Sequence, residues 1–458
     1  MDKIRTATHI DDMDCHAGAW QQERPYVVRG DDMRAIGKVA KLSQQGWWLL
    51  VVATLFMTGI ALSGTFINVY IWKMDRTYEA ITWFNLFTFF CIPLAFVGGG
   101  YLASKIGEAW VMRSGVTVLV IFFAVLLALG PSSVHYVKWL GICFGIGQGF
   151  YWFSFHVFSF DFTNPDNRAK FTGLSGLFAS LASMTGPYVA GYLIVRVRQV
   201  SGYHAVFALS FTIFALLFIA TFRLPKKELP HRPQLSLALR LNQDSDWRRL
   251  LIGSVVFGLR EGLFSFLVAL LVFDVSKSEE GLGLYGLYTG FLSLIAFLLA
   301  AFIGKREGLR KFGMGLAAFL LGIIPFLFMQ SVSARSLFLF GTTTSFVLPF
   351  FLVPFGTMVM NEIDESIRSA RYRAEHLAVR EIALGIGRVV GIGGFLAFVV
   401  YSQNVNWIPY LMMALGFAQF LVFLITYRVT YTDRKASDQS VIEVVKEKRE
   451  GRSLQRMK

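Results

Sequence analysis

Two arginines and a glutamate stand inside apolar sequence that gives them almost no polar company. Gly258-Leu259-Arg260-Glu261-Gly262 lies within a hydrophobic run near 249–274. Gly385-Ile386-Gly387-Arg388-Val389-Val390-Gly391 lies within another near 374–401. If these runs cross a bilayer as helix, Arg260 sits about eleven residues deep, roughly 16 Å at 1.5 Å per residue. Charge at that depth is costly and marks function. Neighbouring helical residues point about 100° apart, so Arg260 and Glu261 cannot both face one partner squarely. Two deep arginines against one deep carboxylate leave a positive charge without an obvious partner. A substrate carboxylate or phosphate would complete it, which makes Arg260 and Arg388 the substrate-binding candidates; the other reading is snorkelling or pairing with a helix C-terminus. Glu261 is the proton-coupling candidate, with a permanent ion pair to Arg260 or Arg388 as the competing reading.

A third run carries Gln148, Trp152 and His156 at intervals of four, one face of a helix. Gln148 and Trp152 are further substrate-binding candidates. Histidine as a residue type titrates near neutral pH, which makes His156 a second proton candidate, against the alternative of a hydrogen-bonded core residue. Asp161, Arg168 and Glu381 lie near the ends of their runs and are expected to form salt bridges closing a cytoplasmic gate, or else to be solvated loop charge. No His, Cys, Asp or Glu grouping has metal-ligand spacing, and no phosphate loop or nucleophile elbow is present. No metal, cofactor, ATP-driven step or enzymatic activity is expected.

The elements that must position these residues follow from composition. The 458 residues are 55% hydrophobic and 16% charged, with 45 Phe and a mean hydropathy of +0.53. An average soluble protein is roughly a quarter charged. The apolar residues come in runs of about twenty, the length of a bilayer-crossing helix. Spans are expected near 46–72, 80–104, 110–130, 134–160, 170–196 and 202–223, then 249–274, 281–304, 310–329, 334–360, 374–401 and 406–428. The fold class is therefore an all-α polytopic membrane protein with twelve transmembrane helices in two pseudo-symmetric six-helix bundles. The bundles would be 46–223 and 249–428, flanked by an N-terminal segment 1–45, a linker 224–248 and a basic tail 429–458. Continuous apolar runs exclude a β-barrel. With both termini in the cytoplasm, 35 of the 44 Lys and Arg fall on inward segments and seven on outward loops. The net charge of +14 thus records orientation in the cell membrane, not nucleic-acid binding. The three cysteines form no disulfide framework.

The halves echo each other: Gly100-Tyr-Leu-Ala-Ser-Lys-Ile-Gly107 follows the second span, and Ala301-Phe-Ile-Gly-Lys-Arg-Glu-Gly308 follows the eighth. Duplicated six-helix halves suggest a transporter rocking around a midplane site. With this plan, the chain resembles the major facilitator superfamily of secondary transporters. The family's loop between helices 2 and 3 is matched in type by Gly100, Leu102, Lys105 and Gly107, with Ser104 where the family has Asp. The family's antiporters carry a small-residue pattern on helix 5, met here by Gly173, Ala182, Gly186, Pro187, Ala190 and Gly191, with Ala replacing Gly at two places. The resemblance implies alternating access and export in exchange for protons. The expected cargo is an amphipathic organic compound, an anion being favoured. The alternatives are proton-coupled uptake of a small nutrient or chelate, and lipid or glycolipid flipping. A small-molecule substrate, protons and membrane lipid are the expected partners, and a monomer the expected state.

Overall fold

The computed structural model describes residues 41–163, 165–197, 199–225, 245–303, 307–329, 331–365, 373–402 and 407–429. The chain before Lys41, most of the expected linker and the tail after Val429 lie outside the described residues. The described chain is helical: α1 (Gln44–Asp75), α2 (Tyr78–Ile106), α3 (Glu108–Leu129), α4 (Val137–Asp161), α5 (Pro165–Val197), α6 (Gln199–Thr221), α7 (Ser245–Ser276), α8 (Glu279–Ile303), α9 (Glu307–Ile323), α10 (Ala334–Glu365), α11 (Arg373–Ser402), α12 (Ile408–Gly416) and α13 (Ala418–Thr426). Eleven helical runs among the described residues are long and apolar enough to cross a membrane. One of them, Glu108–Asp161, has 54 residues, enough for two crossings, because a 3-10 turn at Gly130–Tyr136 folds α3 back into α4. The expected twelfth span is broken at Phe417 into α12 and α13.

Local signals set the ends. The Ser43 hydroxyl accepts the Gly46 N–H at 3.0 Å and opens α1. Arg76 closes α1 in the left-handed region at φ 60°. Gly107, at φ 87°, closes α2 by donating its N–H to the Ala103 carbonyl and starts α3 at the next residue. This gives the glycine of the 100–107 loop a backbone reason, because side chains rarely adopt that φ. Gly100 is buried on α2, and Lys105 is exposed.

Packing within the first half joins α1 to α5 and α6, α2 to α4, and α3 to α4 and α6. In the second half α7 packs on α11 and α13, and α10 on α8 and α9. Two seams connect the halves, α5 against α8 and α2 against α11. Small residues make the closest approaches. A Cβ on Gly186 would lie 2.8 Å from Ala61 of α1, and one on Gly286 would lie 2.8 Å from Pro187. Gly191 rests on the Glu279 backbone. Gly173, by contrast, has open space where a Cβ would be, so the α5 pattern interlocks only in its later half.

The tightest interlock holds α7 to α11. A Cβ on Gly258 would overlap the Leu384 carbonyl, one on Gly387 the Val255 carbonyl, and one on Gly391 the Leu259 carbonyl. Gly258 and Gly262 therefore serve close approach, where lipid supplies no hydrophobic driving force and dispersion contacts must hold helices together. Gly387→Ala should cost about 1–3 kcal/mol through overpacking. Gly393→Ala, on the same helix with open space at its Cβ, should be neutral or slightly stabilising. Thermal unfolding of both variants in detergent checks the ordering.

Candidate functional site

Arg388 is the sixteenth of thirty residues in α11, and Arg260 the sixteenth of thirty-two in α7. Both guanidinium-bearing residues thus sit halfway along membrane-spanning helices. The backbone contact at Gly258, Gly262, Gly387 and Gly391 brings the two helices together at this level.

Arg388 is fully engaged. Its Nε donates to Glu261 Oε2 at 2.7 Å and its Nη2 to Glu261 Oε1 at 3.2 Å, a bidentate pair across the α7–α11 seam. Its Nη1 donates to Glu381 Oε1 at 2.9 Å, two turns earlier on α11. The guanidinium carbon also lies 5.3 Å from the Phe89 ring centre of α2, on the other half of the molecule. Planar, two-pronged pairing of this kind is specific to arginine. The competing expectation of a permanent-type ion pair between Glu261 and Arg388 describes the geometry present. Glu261 is not the sole carboxylate on Arg388: Glu381, expected at a cytoplasmic gate, reaches up its own helix to it from two turns away. The spacing 381–388 is two helical turns, a signal that the sequence carried.

Arg260 is different. It is 4% exposed, and its Nε and Nη2 meet no acceptor among the described residues. Its guanidinium instead lies over the Phe264 ring, 4.4 Å from the centre. An uncompensated buried charge is expensive. The unmatched cation inferred from the sequence is therefore Arg260, while Arg388 is matched twice. Arg380 adds a third guanidinium close enough to act electrostatically on Glu261, Glu381 and Arg388, and on His156 of α4.

On α4, Gly145 and Gly149 press on α2 and Gly147 on α3, which leaves Gln148, Trp152 and His156 half-buried on another face. Trp152 stacks with His156, ring centres 5.8 Å apart, and meets Phe56 edge-on at 5.5 Å. His156 also meets Phe96 at 6.1 Å. This is a flat-faced aromatic wall. Asp161 is exposed at the end of α4. The Arg168 side chain lies outside the described residues, so the Asp161–Arg168–Glu381 grouping is not one that the described contacts bring together.

An ion pair joining the halves lies at the end of the molecule where α1 meets α2. Lys73 of α1 pairs with Glu279 of α8, and Tyr203 of α6 donates its hydroxyl to the same Glu279 oxygen at 2.9 Å. The Lys73 ammonium also lies 5.4 Å from the Tyr203 ring and 5.6 Å from the Phe273 ring. Glu279 is 8% exposed. Sequence reasoning passed over this clamp because each member stands at the end of a different span, with nothing local to connect them.

The sequence matches the family model described as Major Facilitator Superfamily over residues 49–369. It is 32% identical over 397 residues to a Bacillus subtilis (strain 168) protein called "Uncharacterized protein YqgE", covering 86% of this chain and 92% of that one. It is 38% identical over 159 residues to "Uncharacterized protein in sodM 3'region" of Geobacillus stearothermophilus, covering 35% of this chain and 74% of that one. Among solved structures it is similar to the human organic anion transporter MFSD10 (TETRAN). The TM-score is 0.58 at 14% identity, covering 83% of this chain and 98% of that one.

The asymmetry at Arg388 can be measured. Glu261→Gln should cost about 1 kcal/mol, because the carboxylate is 37% exposed and Glu381 still holds Arg388. Arg388→Gln should cost roughly 3–5 kcal/mol, because it leaves two carboxylates together inside the membrane. Thermal unfolding in detergent should rank the variants in that order.

Proposed function

The chain belongs to the major facilitator superfamily of secondary transporters, and on that premise we propose that it carries an organic anion together with a proton. As a member it is a multi-pass membrane transporter, not an enzyme. The observation that carries the reading is the inequality between its two midplane arginines. Arg260 is buried with its Nε and Nη2 meeting no acceptor among the described residues, and Arg388 is held by a carboxylate that remains partly exposed.

The chemistry follows from charge balance. While Glu261 is ionised it occupies Arg388 Nε and Nη2, the two donors best placed for a planar carboxylate. When Glu261 takes a proton, the ionic part of that pairing is lost. A substrate carboxylate can then replace it on Arg388, while Glu381 keeps Nη1 in place. Arg260 supplies the second positive charge. Gln148 offers a hydrogen bond, and Trp152 with His156 offers a stacking wall for an apolar or aromatic body. The proton in this reading is carried by Glu261, and His156 contributes its ring face beside Trp152. In this scheme proton and anion promote each other's binding, so they cross together, in the direction set by their summed gradients. The name of the structural neighbour, an organic anion transporter, agrees with this cargo class.

Alternating access needs a closure at each end. The Lys73–Glu279–Tyr203 clamp serves at the end where α1 meets α2, and Asp161, Arg168 and nearby charges serve at the other. With both termini in the cytoplasm, as the 35 inward basic residues favour, the clamp closes the outer side of a cell-membrane protein. A second reading, export in exchange for protons, rests on α5. There Gly186, Pro187 and Gly191 lock against α1 and α8 with the small-residue pattern of the family's antiporters.

Transport in proteoliposomes tests the proposal with a labelled aromatic carboxylate as probe. Arg260→Ala should lower kcat/KM at least about tenfold, the loss of one charge-assisted contact, and Arg260→Lys should recover part of it. Glu261→Gln should keep anion exchange but lose acceleration by an imposed pH gradient. Equal losses for anionic and cationic probes in Arg260→Ala would remove the anion assignment. Flux stimulated only by an opposing proton gradient would favour exchange. The clamp has its own test in a background lacking Cys15, Cys91 and Cys143. Glu279→Gln should raise maleimide labelling of Ile71→Cys, a site 2% exposed near the clamp, by several-fold. Unchanged labelling would count against a gating role.

A further inference from the structure

The membrane-facing side of the α5–α8 seam carries a groove that the transport chemistry does not use. On α8, Glu280, Leu284, Leu287 and Phe291 recur at helical spacing along one face, and Glu280, Leu284 and Phe291 are exposed. On α5, Met184, Tyr188, Tyr192 and Val195 form the facing stripe. Pro187 and Met184 packed on Gly283, Gly286 and Gly290 hold the two stripes side by side. A cavity of about 770 Å³ occupies the deep part, bounded by Met184, Leu284, Leu287, Phe291 and Phe338. A second, of about 340 Å³, occupies the shallow end, bounded by Tyr192, Val195, Arg196 and Glu280.

We propose that this seam binds one phospholipid with an amine-bearing zwitterionic headgroup, its acyl chains in the deep groove and its headgroup between Arg196 and Glu280. Length supports the assignment. From Glu280 to Phe291, and from Met184 to Arg196, the helices rise roughly 17 Å, close to one leaflet of a hydrocarbon core about 30 Å thick. Polarity follows depth: the deep walls are aliphatic, aromatic and thioether, and the charges stand only at the helix ends. Charge complementarity selects the headgroup. Arg196 and Glu280 share one small cavity, yet neither forms an ion pair among the described residues. A phosphate suits the Arg196 guanidinium, which rests 5.2 Å from the Tyr192 ring centre. A primary ammonium suits the Glu280 carboxylate, to which it can donate hydrogen bonds. A trimethylammonium cannot donate, and a glycerol headgroup brings no cation. The site rests on the membrane-spanning reading alone and is independent of the proton–anion scheme. It adjoins the Lys73–Glu279 clamp, because Glu280 follows Glu279 directly.

Native mass spectrometry of the delipidated full-length protein tests the site with dioleoyl phosphatidylethanolamine, phosphatidylcholine and phosphatidylglycerol as probes. The wild type should retain the ethanolamine lipid on the order of tenfold better than the other two. Glu280→Gln should erase that preference, Arg196→Ala should weaken retention of all three, and Leu287→Trp should block the groove to all three. Both headgroup residues are exposed, so unchanged melting temperatures are expected alongside. Equal retention of the three lipids by the wild type would overturn the proposal, as would a preference surviving in Glu280→Gln. A lipid-free dimer that Leu287→Trp dissociates would also overturn it, by placing a second copy on this face.

Discussion

A guanidinium halfway along a membrane-spanning helix has to be neutralised, and the way Arg388 is neutralised organises the rest of this molecule. Two carboxylates converge on it, one from its own helix and one from α7. Such pairing repays the removal of charge from water only if the geometry is good and the remaining donors are met. The good geometry depends on backbone contact between α7 and α11, and that contact depends on Gly258, Gly387 and Gly391. A side chain at any of these would separate the helices and stretch the Glu261–Arg388 pair. Stability and the proposed transport chemistry therefore share one seam.

Meeting Arg388 twice leaves Arg260 beside the Phe264 ring with two buried donors that meet no acceptor among the described residues. A fully satisfied polar network fixes one structure, whereas an unpaired buried donor is costly, and a bound anion would relieve that cost at Arg260. The same division runs along the molecule. The seams at Gly186–Ala61 and Gly258–Leu384 are backbone-close interlocks, while in the proposed cycle the pairs Glu261–Arg388 and Lys73–Glu279 are the contacts that open. A transporter needs both kinds: packed bodies that move as units, and a few exchangeable polar contacts that decide which state is favoured.

Hydropathy made the helices legible. A run of about twenty apolar residues in lipid has hardly any alternative to helix, because every backbone group must be satisfied within the segment. The bounds of α1, α2, α8 and α11 accordingly lie within a few residues of the expected spans. The midplane charges were legible for the same reason, since a lone Arg or Glu stands out against leucine and phenylalanine. Pairing was less legible. The two-turn spacing lets Glu381 reach Arg388 but does not by itself choose Arg388 over Asp161, and nothing local shows that Glu279 meets Lys73 across 206 positions. Those contacts are fixed by helix rotation and by seams between halves. The break at Phe417 also escaped notice, because the apolar run continues through it unchanged.

In the proposed cycle an anion on Arg388 displaces a carboxylate that is then protonated. Proton uptake on ligand binding tests this most directly. Purified protein in weakly buffered detergent is mixed with an aromatic carboxylate, and a pH indicator follows the medium. Uptake of about one proton per bound anion is expected for the wild type, and almost none for Glu261→Gln. Proton release on binding, or equal uptake by the wild type and Glu261→Gln, would contradict it.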